Sequence, residues 1–183
     1  MATSSQSLKS FLGKPIEICI VSRNHRRTLA ALTNLGIGPW RIYTCLPTNT
    51  SEQTFRGKSS AFTMVLCFAD LPGGMVYEVI EPVSGANIFS EFLEERGEGI
   101  HHVAYDCNDI PWEDRINGFE ERGLSMAQGG NFRGENRFAF FESEEAGTCF
   151  ETLWFREGYE YPEPEEWFPA RPEKGDGELQ GRS

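Results

Sequence analysis

Two of the protein's three histidines stand side by side, in the stretch Gly97-Glu98-Gly99-Ile100-His101-His102-Val103-Ala104-Tyr105-Asp106. The apolar residues after Gly99 alternate with a period of two, as they do in a β-strand with one buried face. The two histidines should therefore point to opposite faces. An imidazole that points into a core needs a hydrogen-bonding partner, a proton to carry or a metal to hold. Three carboxylates have the same character, each a charge set within an apolar strand-like run. They are Glu17 in residues 15–22, Glu78 in residues 75–82 and Glu151 in residues 149–155. Histidine and carboxylate together are the raw material of proton transfer and of divalent-metal binding.

The elements that must position these groups occur twice. Residues 15–22 read as a strand and residues 24–35 as a helix, with Leu29, Leu32 and Leu35 on one face and Gly36 as its stop. Strands follow at 40–46, 61–71 and 75–82, with a polar loop or flap at 47–60. A short helix at 88–96 leads to the second set, in which 100–106 is a strand and 111–122 a helix with Ile116 and Phe119 facing inward. Strands at 124–128, 137–141 and 149–155 complete it, with a loop at 129–135. The order strand, helix, strand, strand, strand thus repeats, and such duplication is a strong organisational signal. Glu17 and His102 hold equivalent positions in the first strand of each repeat, and Glu78 and Glu151 in the fourth. The four can converge only if the two repeats pair side by side.

The bulk properties set limits. A chain of 183 residues with 39% hydrophobic and 13% aromatic residues can build one domain or two small modules with a real core. A formal net charge of −11 argues against nucleic acid or an anionic membrane as partner. No apolar run approaches the roughly 20 residues of a membrane-spanning helix, and residues 1–6 lack the basic-then-apolar pattern of a secretory signal. A cytoplasmic protein is expected. The five cysteines, Cys19, Cys45, Cys67, Cys107 and Cys149, form no Cys-x-x-Cys pair and read as buried free thiols.

The boundaries that follow are an N-terminal arm at 1–14, a first βαβββ module with connecting helix at 15–97, a second βαβββ module at 98–156, and a Pro- and Glu-rich tail at 157–183. The first part of the tail, with Tyr159, Tyr161, Trp167 and Phe168, is expected to pack on the body or on a partner subunit. Its acidic run at 160–166 reads as a solvated stretch, and residues 174–183 as disordered. His25 is expected to be exposed, and His101 to face outward at the surface or a dimer interface. Arg56 and Lys58 lie in the polar flap, where they either hold an anionic or phenolate substrate or remain solvated. Tyr43, Phe62, Phe138 and Phe140 either line a cup or serve ordinary sheet packing.

In ordered segments the chain resembles the vicinal oxygen chelate superfamily, the glyoxalase and methylmalonyl-CoA epimerase group. The segments are Ile16 to Asn24, Leu35-Gly36-Ile37-Gly38-Pro39-Trp40, Tyr77-Glu78-Val79-Ile80-Glu81-Pro82, the run from Phe92 to His102, and Gly147 to Leu153. The resemblance implies an α+β fold in which two βαβββ modules pair into a cup-shaped mixed sheet, and a homodimer. It implies a divalent metal, Mg, Mn, Co, Zn or Ni, held by Glu17, Glu78, His102 and Glu151. Epimerase-like members usually carry His where this chain has Glu17, whereas glyoxalases carry an amide or carboxylate there. If Glu17 does not bind, a site of Glu78, His102 and Glu151 remains. The metal would act as a Lewis acid on a small carbonyl or polyketide-like substrate, stabilising an enolate, with Glu151 or Glu17 as base.

The implied activity is that of an isomerase, epimerase or lyase. Extradiol dioxygenase chemistry uses two His and one carboxylate on iron, and only one placed His is available. A metal-free member acting as a cyclase, tailoring enzyme or binding protein for a hydrophobic secondary metabolite is the alternative. The acidic balance weighs against acyl-CoA, and no signature for glutathione recognition is present.

Overall fold

The run Pro-Ile-Glu-Ile-Cys-Ile-Val forms β1 (Lys14–Val21), because β-branched side chains fit a pleated, half-buried surface. In the computed structural model of the protein, which describes residues 10–107 and 109–173, β1 lies at the centre of the sheet. Most of the predicted N-terminal arm and the predicted disorder at 174–183 lie outside the described residues.

The first half continues with α1 (His25–Thr33), β2 (Trp40–Cys45), β3 (Thr50–Phe55), β4 (Lys58–Ser59), β5 (Thr63–Asp70), β6 (Val76–Ser84) and α2 (Ile88–Glu95). The second comprises β7 (Gly99–Asp106), α3 (Trp112–Glu120), β8 (Met126–Phe132), β9 (Asn136–Ser143) and β10 (Thr148–Phe155), followed by β11 (Glu166–Phe168) in the tail. All eleven strands join one sheet in the order β11-β2-β5-β6-β1-β7-β10-β9-β8-β3-β4. First and fourth strands pair in parallel within each half, β1 with β6 and β7 with β10, and β1 meets β7 antiparallel at the seam. This is the expected α+β architecture, a mixed sheet curled into a cup.

The sheet has two apolar faces. On the outer one, Leu29 of α1 packs with Trp40, Ile42, Cys67 and Val79, and Phe119 of α3 packs with Ala139 and Phe141. On the inner one, Ile88, Phe89 and Leu93 of α2 join Ile80, Ala104, Phe138 and Phe140. Asn24 caps α1 by accepting from the Arg27 backbone N–H, and Asn87 caps α2 by accepting from Ser90. All five cysteines are buried free thiols, as expected.

Three expectations are corrected. Leu35 does not join the buried face of α1, because the helix ends at Thr33 and the 3.6-residue period ends with it; Leu35 is 78% exposed. The flap at 47–60 is not a loop, since β3 and β4 form a hairpin and β3 crosses to pair with β8 of the second half. The supposed loop at 129–135 is strand as far as Phe132, and its glycines have a packing reason. A Cβ on Gly130 would lie 2.5 Å from the Phe138 ring, so only glycine lets that ring cross the strand. Neither segment shows apolar alternation, because backbone pairing holds them in place.

The tail packs on the body of its own chain, where β11 adds to the free edge of β2. Its acidic run is not merely solvated: Glu165 accepts from the Thr44 backbone N–H and hydroxyl at 2.9 and 2.7 Å, and Glu166 grips Arg26 with both oxygens.

Arg115 of α3 is fully buried, donates to Thr152 Oγ1 at 3.1 Å, and holds the carbonyls of Phe11 and Leu12. Arg115→Met is expected to leave those half-buried carbonyls without the guanidinium and to cost about 2–4 kcal/mol, read from urea unfolding midpoints. A midpoint within error of wild type would show that the guanidinium does not anchor the segment before β1.

Candidate metal centre

The sheet register explains how four polar residues from four strands meet. Cys19 of β1 lies between Glu78 of β6 and His102 of β7, and Ala104 of β7 lies between Glu17 of β1 and Glu151 of β10. All face the interior of the cup. The two positions in the middle carry small side chains, so the four larger ones can lean together over the seam. One ligand atom from each of Glu17, Glu78, His102 and Glu151 lies within 4.8 Å of the others, and all four residues are buried. The structure thus brings together the four positions picked out by the repeat.

Their atoms are aimed at a common point. His102 Nε2 is 3.0 Å from Glu151 Oε2 and 3.4 Å from Glu78 Oε2. Yet these three atoms are buried without a properly aligned hydrogen bond. Buried polar atoms are rarely left so. A nitrogen and two carboxylate oxygens that converge this closely form an ion pair while the imidazole is protonated, and are equally disposed as ligands around a shared cation. The donor set, one imidazole with carboxylates, suits a hard or borderline divalent ion.

The electrostatics of the protein without metal follow from burial and charge. Burial works to deprotonate His102, but the Glu151 and Glu78 carboxylates outweigh it and raise its pKa to about 9. Burial pushes Glu151 up to about 7 against the attraction of His102, with Glu78 adding to the rise. The Cys19 thiol is held well above its ordinary range by burial and by the same carboxylates, so it stays neutral.

His101 does not face outward as alternation predicts. The β1–β7 ladder steps from Cys19↔His102 to Ile20↔Ile100, which leaves His101 as the extra residue of a β-bulge. The bulge breaks the period of two and turns both imidazoles inward. His101 is buried against Phe89 and Phe92, and its Nδ1 lies 3.0 Å from Nδ1 of His102. Burial first, then the neighbouring His102 and Arg96, depress its pKa to about 2. As a neutral ring it accepts from the His102 Nδ1–H, which orients His102 and leaves Nε2 to the cluster. The adjacent His pair was the available signal for this partner, and the rule of alternation hid it.

Above the cluster is a chamber floored by Glu17, Glu78 and Glu151 and walled by residues that include Tyr43, Phe138 and Phe140. Phe62 lies in the core and does not line it. Arg56 and Lys58 are not brought there. The β3–β4 hairpin carries them to the far edge of the sheet, where Lys58 is exposed and Arg56 pairs with Glu91 and Glu142. His25 is not exposed either; its Nδ1 lies 2.7 Å from Glu81.

The model of the Glyoxalase/Bleomycin resistance protein/Dioxygenase superfamily matches residues 17–141. That span includes Glu17, Glu78 and His102 and stops short of Glu151. No significant match is found among curated protein sequences. Among solved structures, a hypothetical protein of Bacillus halodurans C-125 is similar over 81% of this chain and 98% of its own, with 23% identity and a TM-score of 0.60. A methylmalonyl-CoA epimerase of Mycobacterium tuberculosis is similar over 81% of this chain and 92% of its own, with 14% identity and a TM-score of 0.57. A variant methylmalonyl-CoA epimerase of Streptomyces coelicolor, in complex with 2-nitronate-propionyl-CoA, covers 82% of this chain and 99% of its own, with 16% identity and a TM-score of 0.53. At these identities the likeness is one of fold.

Proposed function

The chain belongs to the Glyoxalase/Bleomycin resistance protein/Dioxygenase superfamily, and from that premise we propose that it is a divalent-metal-dependent enzyme that removes a proton from a carbon next to a carbonyl, as an isomerase, epimerase or lyase. The observation that carries the proposal is the convergence of Glu17, Glu78, His102 and Glu151 on one buried point.

Glu17, Glu78, His102 and Glu151 would hold the ion. When bound, it supplies Lewis acidity to the negative charge that grows on the substrate's carbonyl oxygen. His102 is fully buried beneath the chamber floor, so its role is to hold the ion and not to meet substrate. His101 keeps the His102 ring in place. The carboxylates face the chamber, and the one that takes up the substrate proton is Glu151 or Glu17. The chamber walls are apolar and aromatic, and among the described residues neither Lys nor Arg lines it, which favours an uncharged carbonyl compound, polyketide-like in character, over an anion buried in the cup. A homodimer in the cytoplasm is part of this reading.

The test is a titration of chelated protein with Co²⁺ or Mn²⁺, followed by incubation in D₂O with a panel of small 1,3-dicarbonyl and hydroxycarbonyl compounds. Stoichiometric binding and chelator-sensitive deuterium uptake next to the carbonyl are expected. Exchange at full rate in chelator would overturn the metal-dependent reading and favour the metal-free cyclase or binding protein.

A further inference from the structure

Residues 156–168 leave β10, cross the mouth of the cup and return to β2 as β11, outside the segment that matches the superfamily model. The segment is anchored at its far end. Glu165 donates its backbone N–H to the Ile42 carbonyl at 3.0 Å and binds Thr44 through its carboxylate; Glu166 binds Arg26; and Tyr43 donates its hydroxyl to the Pro162 carbonyl at 3.0 Å. Between the anchors, Tyr161 drops its ring against Tyr43 and Phe68, with centroids 5.7 and 5.5 Å apart, and lines the same chamber as Glu17, Glu78 and Glu151.

With Tyr161 seated, the chamber measures about 50 Å³. That is room for a few waters, whereas sites for small organic ligands run from roughly 300 to 1,000 Å³. The hydroxyl of Tyr161 has one weak contact, from Asn136 Nδ2 at 3.5 Å. The ring is thus held by stacking and by loose polar contact.

We propose that residues 156–168 form a strap that opens to admit substrate, and that Tyr161 is its plug and forms the roof over bound substrate. Substrate binding beneath the roof rests on the function proposed above; closure by the strap does not. In the open state Tyr161 withdraws, Phe68 and Tyr43 become the rim, and the chamber gains the volume that an organic molecule needs.

Cys45 supplies a test that needs no metal. Its thiol is free, buried and part of the chamber wall, while Cys107 is buried elsewhere. Alkylation by iodoacetamide, followed cysteine by cysteine by mass spectrometry in chelated protein, reports opening of the strap. Tyr161→Ala is expected to speed labelling of Cys45 about tenfold or more, while Cys107 keeps its wild-type rate. Tyr161→Phe, which keeps the plug, is expected to behave as wild type. Glu165→Gln with Thr44→Val, which loosens the anchor and leaves the chamber intact, is expected to act in the same direction as Tyr161→Ala. Wild-type rates at Cys45 in both loosened proteins would overturn the proposal, as would a parallel rise at Cys107, the mark of general loosening. Failure to bind Co²⁺ would instead strike the metal reading and leave this readout standing.

Discussion

His102→Leu is expected to abolish divalent-cation binding and, in chelated protein, to cost about 3–5 kcal/mol of folding stability near neutral pH. His102 is the only nitrogen donor in the cluster, and it is also the only cation among three buried carboxylates when metal is absent. Removing it takes the counter-charge from Glu78 and Glu151 in a low dielectric. The pH dependence distinguishes this loss from ordinary damage to packing. In the wild type without metal, His102 is raised to about 9 and Glu151 to about 7. Both folded-state values lie above the ordinary ones, so the protonated forms are the ones that folding favours. The stability they contribute is present at low pH and is lost as pH climbs through about 7 and then about 9. Chelated wild type should therefore weaken between neutral and alkaline pH, and His102→Leu should lose the upper part of that slope. Saturating Co²⁺ should restore wild type most at high pH, where protons no longer compete for the ligands, and should do nothing for the variant. Urea unfolding across pH, with and without Co²⁺, measures all of this. A variant that binds Co²⁺ as tightly as wild type would place the metal elsewhere.

The cluster was readable in the sequence because each of its members interrupts a simple pattern. A charge set in a β-branched run stands out, and the duplicated order of elements aligns Glu17 with His102 and Glu78 with Glu151. The two small residues between them, Cys19 and Ala104, were not readable as part of the site, since their role depends on cross-strand register and not on their own chemistry. His101 was misplaced for a related reason. A bulge adds one residue to one strand, and nothing in Gly99-Ile100-His101-His102 itself signals that the ladder will skip His101. The β3–β4 hairpin and the far half of β8 owe their form to backbone pairing with distant strands, which leaves no periodic trace in side chains such as Ser51, Gln53, Gly129 and Gly130. The strap shows the opposite case. Its aromatic residues announced that the tail would pack, but only the fold could put Tyr161 over the carboxylates and Glu165 and Glu166 on Thr44 and Arg26.

Glu151→Gln is expected to slow proton transfer by about 10²–10⁴-fold, the usual worth of a positioned general base, with a smaller effect on metal affinity. Glu17 and Glu151 flank Ala104 from its two neighbouring strands, and both open onto the chamber. Geometry alone makes them equivalent candidates; the environment of Glu151 separates it. In the protein without metal, burial raises it above the ordinary carboxylate range against the pull of His102, which disposes this carboxyl to hold a proton. Three carboxylates around one dication also leave the centre with net negative charge, which one of them relieves by accepting a proton. A glutamine keeps the shape and one ligand oxygen but removes the basic atom. The distinguishing measurement is deuterium exchange at saturating Co²⁺, set beside the Co²⁺ dissociation constant of the same variant. A base reveals itself by a large fall in exchange rate with little change in metal affinity, and a simple ligand by weakened affinity with the rate restored once the ion is saturating. Glu17→Gln is expected to follow the second pattern. If instead Glu17→Gln shows the first pattern and Glu151→Gln the second, the two carboxylates exchange roles, and the substrate's reacting carbon must lie on the β1 side of Ala104.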